Sequence, residues 1–188
     1  MTSIRPFQAT DLFTLNPINL DPLTEDFYLY FYMQYLSSWP SLFYKSVSPS
    51  NEPTGYMLAK TEGKRKEWHS HISAVTINPN YRRIGLASHL CTALEKVTAN
   101  KPYDCYFVDL FVKANNKLAI TMYEKLGYTV FRRVVGYYGG VDVIPDKKKI
   151  DDEIDAFDMR KSLPIDINGE CTRKNGRNFK VLPNDVRF

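Results

Sequence analysis

The stretch Arg82-Arg83-Ile84-Gly85-Leu86-Ala87 decides how this chain folds, because it joins a strand-like sequence to a long amphipathic helix. The apolar run 71–77 precedes the stretch, and a helix is predicted from Gly85 onward. The first backbone N–H groups of a helix have no partner within the helix, and the helix dipole adds partial positive charge there. This order of strand, Arg/Gly loop and helix predicts a site for a phosphate-bearing ligand. The same six residues would also fit an ordinary helix start with two solvated arginines and no ligand site.

Three residues of this loop are predicted to contact the anion directly. Gly85 lets a pyrophosphate approach the backbone, because glycine has no Cβ. Arg82 and Arg83 would add charge-assisted hydrogen bonds. The helix that follows carries Leu86, Leu90, Leu94 and Val97 at core-facing spacing.

Composition excludes several classes of protein. The chain has 188 residues, 44% of them hydrophobic and 24% charged, which is typical of a globular protein with a single core. We find no apolar run of the roughly 20 residues that cross a membrane, and no signal peptide near Met1. Three scattered cysteines and three histidines predict neither a disulfide framework nor a metal site. The net charge of +4 favours anionic ligands or a ribosomal surface, but it does not indicate direct nucleic-acid binding.

Periodicity and turn signals predict a single α/β domain with a mixed, twisted sheet of about seven strands and about four helices. We expect Asn16 to Pro22 to form a turn-rich link, 139–154 to form an exposed loop, and the polar residues from Ser162 onward to form an extended tail. The predicted strands are 3–5, 42–44, 55–60, 68–77, 105–112, 129–135 and 156–160. The predicted helices are 10–15, 27–36, 85–97 and 118–126.

A second motif lies on the last of these helices. Asn116 stands at its start, Tyr123 lies two turns along the same face, and Leu126-Gly127-Tyr128 ends it. Together with R-x-x-G-x-A upstream, this N-x-x-A-x-x-x-Y pattern resembles the GNAT acetyltransferase superfamily. The resemblance implies that the loop binds acetyl-CoA, that Asn116 contacts the pantetheine arm or the substrate backbone, and that Tyr123 reaches the thioester sulfur.

Further segments narrow the resemblance to the catalytic subunits of NatB N-terminal acetyltransferases. They are 19–27, 38–40, 68–74 and 137–138, and the likeness covers about residues 2–161. We therefore expect a GNAT domain at 1–161 and a C-terminal extension at 162–188. The resemblance implies a cytoplasmic enzyme that works with a large helical-repeat auxiliary subunit, associates with the ribosome through that complex, and acetylates nascent chains that begin Met-Asp, Met-Glu, Met-Asn or Met-Gln. It implies no membrane partner.

The catalytic groups follow from the chemistry of acetyl transfer. His71 is the candidate general base, because imidazole changes protonation near neutral pH and lies on the strand that leads to the cofactor loop. Backbone N–H groups between Val75 and Ile77 are candidate donors to the thioester oxygen. Tyr123 would donate a hydrogen bond to the departing sulfur.

The substrate-binding residues are predicted from the resemblance. Glu25, Phe27 and Tyr28 are expected to shape the peptide entrance, and Phe27 is expected to line a methionine pocket. Tyr137 and Tyr138 resemble paired tyrosines that hold the peptide backbone. Recognition of the second residue is assigned to a polar set: His71, Ser73, Asn116 and Tyr138.

Three alternatives remain open from sequence. Ser38-Trp39-Pro40 and the strand around His71 are also similar to the NatA catalytic subunit, so a NatA-type enzyme fits these segments. A non-catalytic acetyl-CoA-binding module would keep the loop but would need neither His71 nor Tyr123. A lysine acetyltransferase would demand more of its base, because a lysine amine is far less often neutral at pH 7 than an α-amine. The aromatic helix at 27–36 is predicted to face the auxiliary subunit.

Overall fold

A computed structural model describes residues 2–22, 24–140 and 145–186. The strands, in chain order, are β1 (Ser3–Pro6), β2 (Phe43–Val47), β3 (Pro53–Glu62), β4 (His69–Ile77), β5 (Phe107–Lys113), β6 (Thr129–Val134), β7 (Ala156–Ser162) and β8 (Lys180–Val181). The α-helices are α1 (Asn16–Asn19), α2 (Leu29–Ser38), α3 (Leu86–Thr98) and α4 (Lys117–Lys125). The strands form one mixed sheet in the order β1-β2-β3-β4-β5-β7-β6-β8. The predicted fold class is therefore confirmed, with one strand more than expected.

Contacts group the chain into two compact units, and β4 contributes residues to both. The first unit is Met1–Thr61 with Ile72–Thr98, and the second is Glu62–His71 with Ala99–Phe188. Among the described residues the longest helix, α3, has 13 residues, and no helix combines the length and apolar character that a membrane span requires.

The core of the first unit is built largely from aromatic side chains. Strands β1, β2 and β3 pair antiparallel, and α2 buries Tyr32 and Tyr35 in the same core. Phe7 stacks on Phe43 with ring centroids 4.0 Å apart. The cluster of buried residues comprises Phe7, Leu15, Ile18, Tyr32, Tyr35, Phe43, Tyr56 and Leu58. Burial of this apolar area is the main stabilising contribution to the unit.

Helices in the first unit differ from the sequence prediction at several places, and the helix predicted at 10–15 is a 3-10 helix at Ala9–Thr14. The link at 16–22 contains the one-turn helix α1. Pro17 occupies one of its first positions, where its fixed φ suits a helix. Its missing N–H costs nothing there, because that N–H would have no partner within the helix. Helix α2 begins at Leu29 rather than at residue 27, because Tyr28 is extended, with φ −63° and ψ 151°.

The core-facing stripe of α3 also departs from the prediction at its end. Leu86, Leu90 and Leu94 are buried as expected, but Val97 is exposed. Thr98 is buried instead, four residues after Leu94, and its hydroxyl donates to the Leu94 carbonyl oxygen at 2.9 Å. The spacing of four therefore continues to the end of the helix.

The second unit is organised around β5, which pairs antiparallel with β7, while β7 pairs antiparallel with β6. Its core contains charged groups among apolar ones. Arg132 donates to Asp158 at 2.8 Å, and the guanidinium of Arg160 lies 3.7 Å from the Phe131 ring centroid. Burial and the nearby charge of Asp109 raise the pKa of Asp158 above its ordinary value. Burial of these groups is tolerated because each has an oppositely charged or aromatic neighbour.

Helix α4 buries only some of its apolar residues. Leu118 is exposed, whereas Ile120 and Tyr123 are buried. Leu118 lies in the first turn of this nine-residue helix, two residues after the N-cap Asn116. Gly127 follows the helix with φ 93°, as a C-terminal glycine does.

The segment after Ser162 packs on the second unit rather than extending from it. Strand β8 pairs in parallel with β6, with Lys180 opposite Arg133 and Val181 opposite Val134. An added Cβ on Gly176 would lie 1.8 Å from the Val130 carbonyl oxygen, so only glycine fits at this contact. The predicted loop at 139–154 is mostly exposed from 145 to 154, and its residues 141–144 lie outside the described residues.

Candidate active site

Residues 82–85 form a tight loop, and α3 begins at Leu86, in agreement with the order of loop and helix that the sequence predicts. Arg83 and Gly85 both have left-handed backbone conformations, with φ 67° and 88°. A Cβ added to Gly85 would meet no atom within 4 Å, so its φ and not crowding selects glycine there. Arg83, Ile84 and Gly85 are exposed. An open backbone surface at the start of a 13-residue helix fits the pyrophosphate of acetyl-CoA.

The two adjacent arginines of this loop differ in what they contact. Arg82 donates from Nε to the Ile77 carbonyl oxygen at 3.0 Å, and its Nη2 makes a close ion pair with Asp21. Arg83 is exposed to solvent. Sequence alone assigned both arginines to the anion, and that assignment stays a prediction. Of the two, Arg83 has the freer approach to a ligand.

Residues of β4 that were predicted to meet the thioester and the peptide lie close to the first unit's core. Ser73 and Val75 are half-buried, and Ile77 is buried. The Ser73 hydroxyl lies 2.5 Å from the Tyr35 hydroxyl. Tyr35 was not among the predicted site residues; a buried tyrosine needs a partner for its hydroxyl, which is the signal that could have identified it.

The predicted entrance residues occupy the segment before α2. Phe27 stacks on Phe31 with centroids 4.5 Å apart and packs against the aromatic core. Glu25 and Tyr28 are exposed. The segment therefore offers an apolar wall at Phe27 beside a carboxylate and a phenol that reach solvent. This combination suits a peptide N-terminus with a methionine side chain and an ammonium group.

His71, the candidate base, forms a dyad with a buried carboxylate. Its Nδ1 lies 2.9 Å from Oδ1 of Asp109, and the Asp109 side chain is fully buried on β5. Burial alone would raise the pKa of Asp109, but the neighbouring imidazoles of His71 and His69 outweigh it and hold that pKa below its usual range. An ionised carboxylate only accepts hydrogen bonds, so Nδ1 of His71 donates to Asp109, and in the neutral imidazole Nε2 is then the acceptor.

His69 adds a second imidazole to the same carboxylate. Its Nε2 lies 3.5 Å from Asp109 and its Nδ1 lies 2.6 Å from the Glu67 carbonyl oxygen, while its ring stacks on Phe107. Ligating atoms of Glu62, His69 and His71 lie within 4.8 Å of one another, a spacing that a divalent cation could use. Nδ1 of each histidine faces an oxygen acceptor, Asp109 for His71 and the Glu67 carbonyl for His69.

An aromatic row continues from His71 across the second unit. The Phe111 ring lies 5.6 Å from the His71 ring and stacks on Tyr137 at 4.7 Å. Tyr137 in turn contacts Tyr138 edge-on at 4.9 Å. The structure thus brings together three predicted residues, and it adds Asp109 and Phe111. A lone aspartate within the apolar run 105–112 was the sequence signal for the missed partner.

Helix α4 carries the remaining predicted groups. Asn116 caps the helix, and its Oδ1 accepts a hydrogen bond from the Ala119 N–H at 3.1 Å. Asn116 itself is exposed. Tyr123 is buried against the Tyr128 ring, edge-on at 5.6 Å. Both residues lie where the N-x-x-A-x-x-x-Y pattern puts them, at the start and on the inner face of one helix.

Comparison with known proteins agrees with these features. The model of the acetyltransferase (GNAT) family matches residues 9–128. The N-terminal acetyltransferase B complex catalytic subunit NAT3 of Saccharomyces cerevisiae is 55% identical over the full length of both chains.

Two solved structures are also similar. A chain of the NatB acetyltransferase complex bound to a bisubstrate inhibitor is 59% identical, with a TM-score of 0.87 and 99% of each chain covered. A chain of the NatB complex bound to CoA and MES is 61% identical, with a TM-score of 0.73, 86% of this chain covered and 99% of the other. The chain therefore belongs to the acetyltransferase (GNAT) family, in the branch formed by the catalytic subunits of N-terminal acetyltransferase B.

Proposed function

We propose that this chain transfers the acetyl group of acetyl-CoA to the α-amino group of proteins that begin with Met followed by Asp, Glu, Asn or Gln. The observation that carries the proposal is the full-length, 55% identity to the catalytic subunit NAT3 of the Saccharomyces cerevisiae NatB complex. The His71–Asp109 dyad supports catalysis over passive binding of the cofactor.

The first step is removal of a proton from the incoming ammonium group. A free α-amino group has a pKa of about 7.7–8.0, so roughly a tenth to a fifth is already neutral near pH 7. His71 needs to supply only modest base assistance, directly or through one water. Asp109 holds the imidazole in the tautomer that keeps Nε2 as the acceptor.

The second step is attack on the thioester. Backbone N–H groups of the β4 segment Val75 to Ile77 would stabilise the negative charge that develops on the thioester oxygen. Arg83, Gly85 and the start of α3 would hold the pyrophosphate, so that binding energy from a remote part of the donor fixes its reactive end. Tyr123 would then donate to the departing sulfur; a thiol of pKa about 8.5 requires a hydrogen bond more than a strong acid.

Peptide selection would use both apolar and polar groups. Phe27 supplies an apolar wall for the methionine side chain, and Glu25 would orient the ammonium or its water. Tyr28, Tyr137 and Tyr138 would flank the peptide backbone. Ser73, His71 and Asn116 would meet the acidic or amide second residue, where a tenfold preference requires only about 1.4 kcal/mol.

The exposed face of α2 supports association with an auxiliary subunit. Leu29 and Tyr30 are 65% and 69% exposed, and Met33 lies on the same face. Phe13 and Leu20 are exposed in the same unit. An exposed apolar face of this kind marks a protein–protein interface. We assign it to a large helical-repeat partner, with ribosome association through that complex in the cytoplasm.

A peptide panel tests the proposal. The chain is copurified with its partner and offered peptides that begin Met-Asp, Met-Glu, Met-Leu and Ser-Ala, with acetyl-CoA as donor. We expect turnover of the first two. Selective turnover of Ser-Ala would instead identify a NatA-type enzyme, and no turnover of any peptide would favour a non-catalytic acetyl-CoA-binding module.

A further inference from the structure

The ion pair between Arg82 and Asp21 joins the cofactor loop to the segment that carries the predicted peptide-binding residues. Arg82 also donates to the Ile77 carbonyl oxygen, so its guanidinium bridges the end of β4 and Asp21. The Asp21 side chain is only 7% exposed and that of Arg82 is 34% exposed. A pair with one partner this well buried is screened less by salt than a surface pair.

Asp21 lies between α1 and α2, where the described residues belong to neither a helix nor a strand. Before it, Asn19 is fixed by hydrogen bonds with the Tyr56 and Tyr32 hydroxyls at 3.0 and 3.3 Å. The carbonyl oxygen of Asp21 accepts a hydrogen bond from the Thr24 N–H at 2.9 Å. Glu25 and Phe27 follow directly. The position of Asp21 therefore influences how the following residues are presented.

We propose that Asp21 is a positioning residue that couples binding of acetyl-CoA to binding of the peptide through Arg82. The proposal rests on the proposed function, because it assigns the Arg82–Ala87 loop to the pyrophosphate and the segment 25–28 to the peptide. An anion on the backbone around Gly85 orders the loop, the ordered loop fixes Arg82, and Arg82 holds Asp21. Linkage then requires the reciprocal effect: bound peptide tightens the binding of the cofactor.

The two ends of the ion pair should respond differently to mutation. Asp21→Asn removes the charge that holds Arg82 toward the peptide segment, and it leaves the guanidinium available to the phosphate. Arg82→Lys keeps the charge, but an ammonium lacks the planar fork that reaches Ile77 and Asp21 together. Loss of Asp21 should therefore weaken binding of the peptide to the acetyl-CoA complex and spare binding of CoA alone, whereas loss of the Arg82 fork should weaken both.

The test uses the complex of the chain with its auxiliary subunit. For Asp21→Asn we expect the KM of a Met-Asp peptide at saturating acetyl-CoA to rise about tenfold, while the dissociation constant of CoA without peptide changes by less than about twofold. We also expect peptide to tighten CoA binding to the wild-type complex but not to the variant. The double variant with Arg82→Lys should bind peptide no more weakly than the poorer single variant, because both changes break one link.

Asp11→Asn is the matched control. Asp11 pairs with Lys45 in the same unit at similar burial, 16% and 18% exposed, but contacts no predicted site residue. It should lower the melting temperature to a similar extent and leave both constants unchanged. A dissociation constant of CoA without peptide that rises as much as the peptide KM in Asp21→Asn, or the same changes in both variants, would show that Asp21 is merely structural. Wild-type turnover of the Met-Asp peptide separately tests the proposed function, and the CoA-binding arm does not depend on turnover.

Discussion

The two units of the chain bury polar groups in different ways. In the first unit the buried polar groups are mostly uncharged hydroxyls and amides, such as the Asn19, Tyr32 and Tyr56 network, and burial raises the pKa of Tyr56 well above its ordinary value. In the second unit the buried groups include carboxylates and guanidinium groups, and Asp109 orients His71 there. The first arrangement shapes binding surfaces without titrating near neutral pH. The second can hold and move a proton.

The largest expected effect is on the second unit's dyad. His71→Gln should lower kcat/KM for a Met-Asp peptide by about 10²–10⁴-fold, because glutamine cannot take a proton from the ammonium. Steady-state kinetics of the complex measure it. His89→Gln is the control, since His89 is exposed on α3, and it should be as active as the wild type. Equal activity of His71→Gln and His89→Gln would show that His71 is not the general base.

The exposed face of the first unit should show the next largest effect. Tyr30→Asp places a charge in the centre of the apolar face of α2, and we expect the dissociation constant for the auxiliary subunit to rise about 30-fold or more. Pull-down titration measures this change. Ile167→Asp, at an exposed apolar residue of the second unit, should leave association intact. If the isolated chain proved fully active and monodisperse, the assignment of this face would be wrong.

A smaller effect is expected at the cofactor loop. Gly85→Ala should raise the KM of acetyl-CoA about fivefold, since it strains a residue at φ 88° and adds a methyl group where the anion approaches. Gly140→Ala is closely matched, because Gly140 has φ 70° and an added Cβ there also meets nothing within 4 Å. Strain alone would affect both variants, so similar KM values in the two would contradict a phosphate site at Gly85.

The smallest effect concerns acid stability. Because the folded pKa of Asp109 lies below its usual value, its charge stabilises the fold above the unfolded pKa of about 3.9, and this contribution is lost as the pH falls through the folded pKa. The melting-temperature difference between the wild-type complex and Asp109→Asn should therefore shrink as the pH is lowered. Asp185→Asn, in an exposed ion pair with Lys147, should differ little from the wild type at any pH. A melting-temperature difference between wild type and Asp109→Asn that grows as the pH falls would contradict an ionised Asp109 paired with His71.

Elements with strong periodicity could be predicted from sequence, whereas partners distant in sequence could not. The leucine spacing of α3 and the apolar run of β5 identified both elements, because local periodicity determines which face is buried. Strand β8 has two residues in a polar segment and forms through pairing with β6, so no local pattern indicates it.

The site shows the same division. His71, Asn116 and Tyr123 could be assigned from motifs, because each motif sets residue spacing along a single element. The different contacts of Arg82 and Arg83 could not be assigned from sequence. They depend on the left-handed backbone of Arg83 and on Asp21, which pairs with Arg82 from 61 residues away in the chain. Asp109 was not predicted, although its place within an apolar strand was a signal, since a buried charge requires a partner.

Single-turnover acetyl transfer tests the central claim most directly. The complex is saturated with acetyl-CoA and a Met-Asp peptide, and the rate of product formation is compared for His71→Gln and Gly85→Ala. If the second unit's dyad carries the proton and the first unit's loop only binds the donor, His71→Gln slows the step by about 100-fold or more and Gly85→Ala leaves it near the wild-type rate. An unchanged rate in His71→Gln, or an equal loss in both variants, would contradict this division.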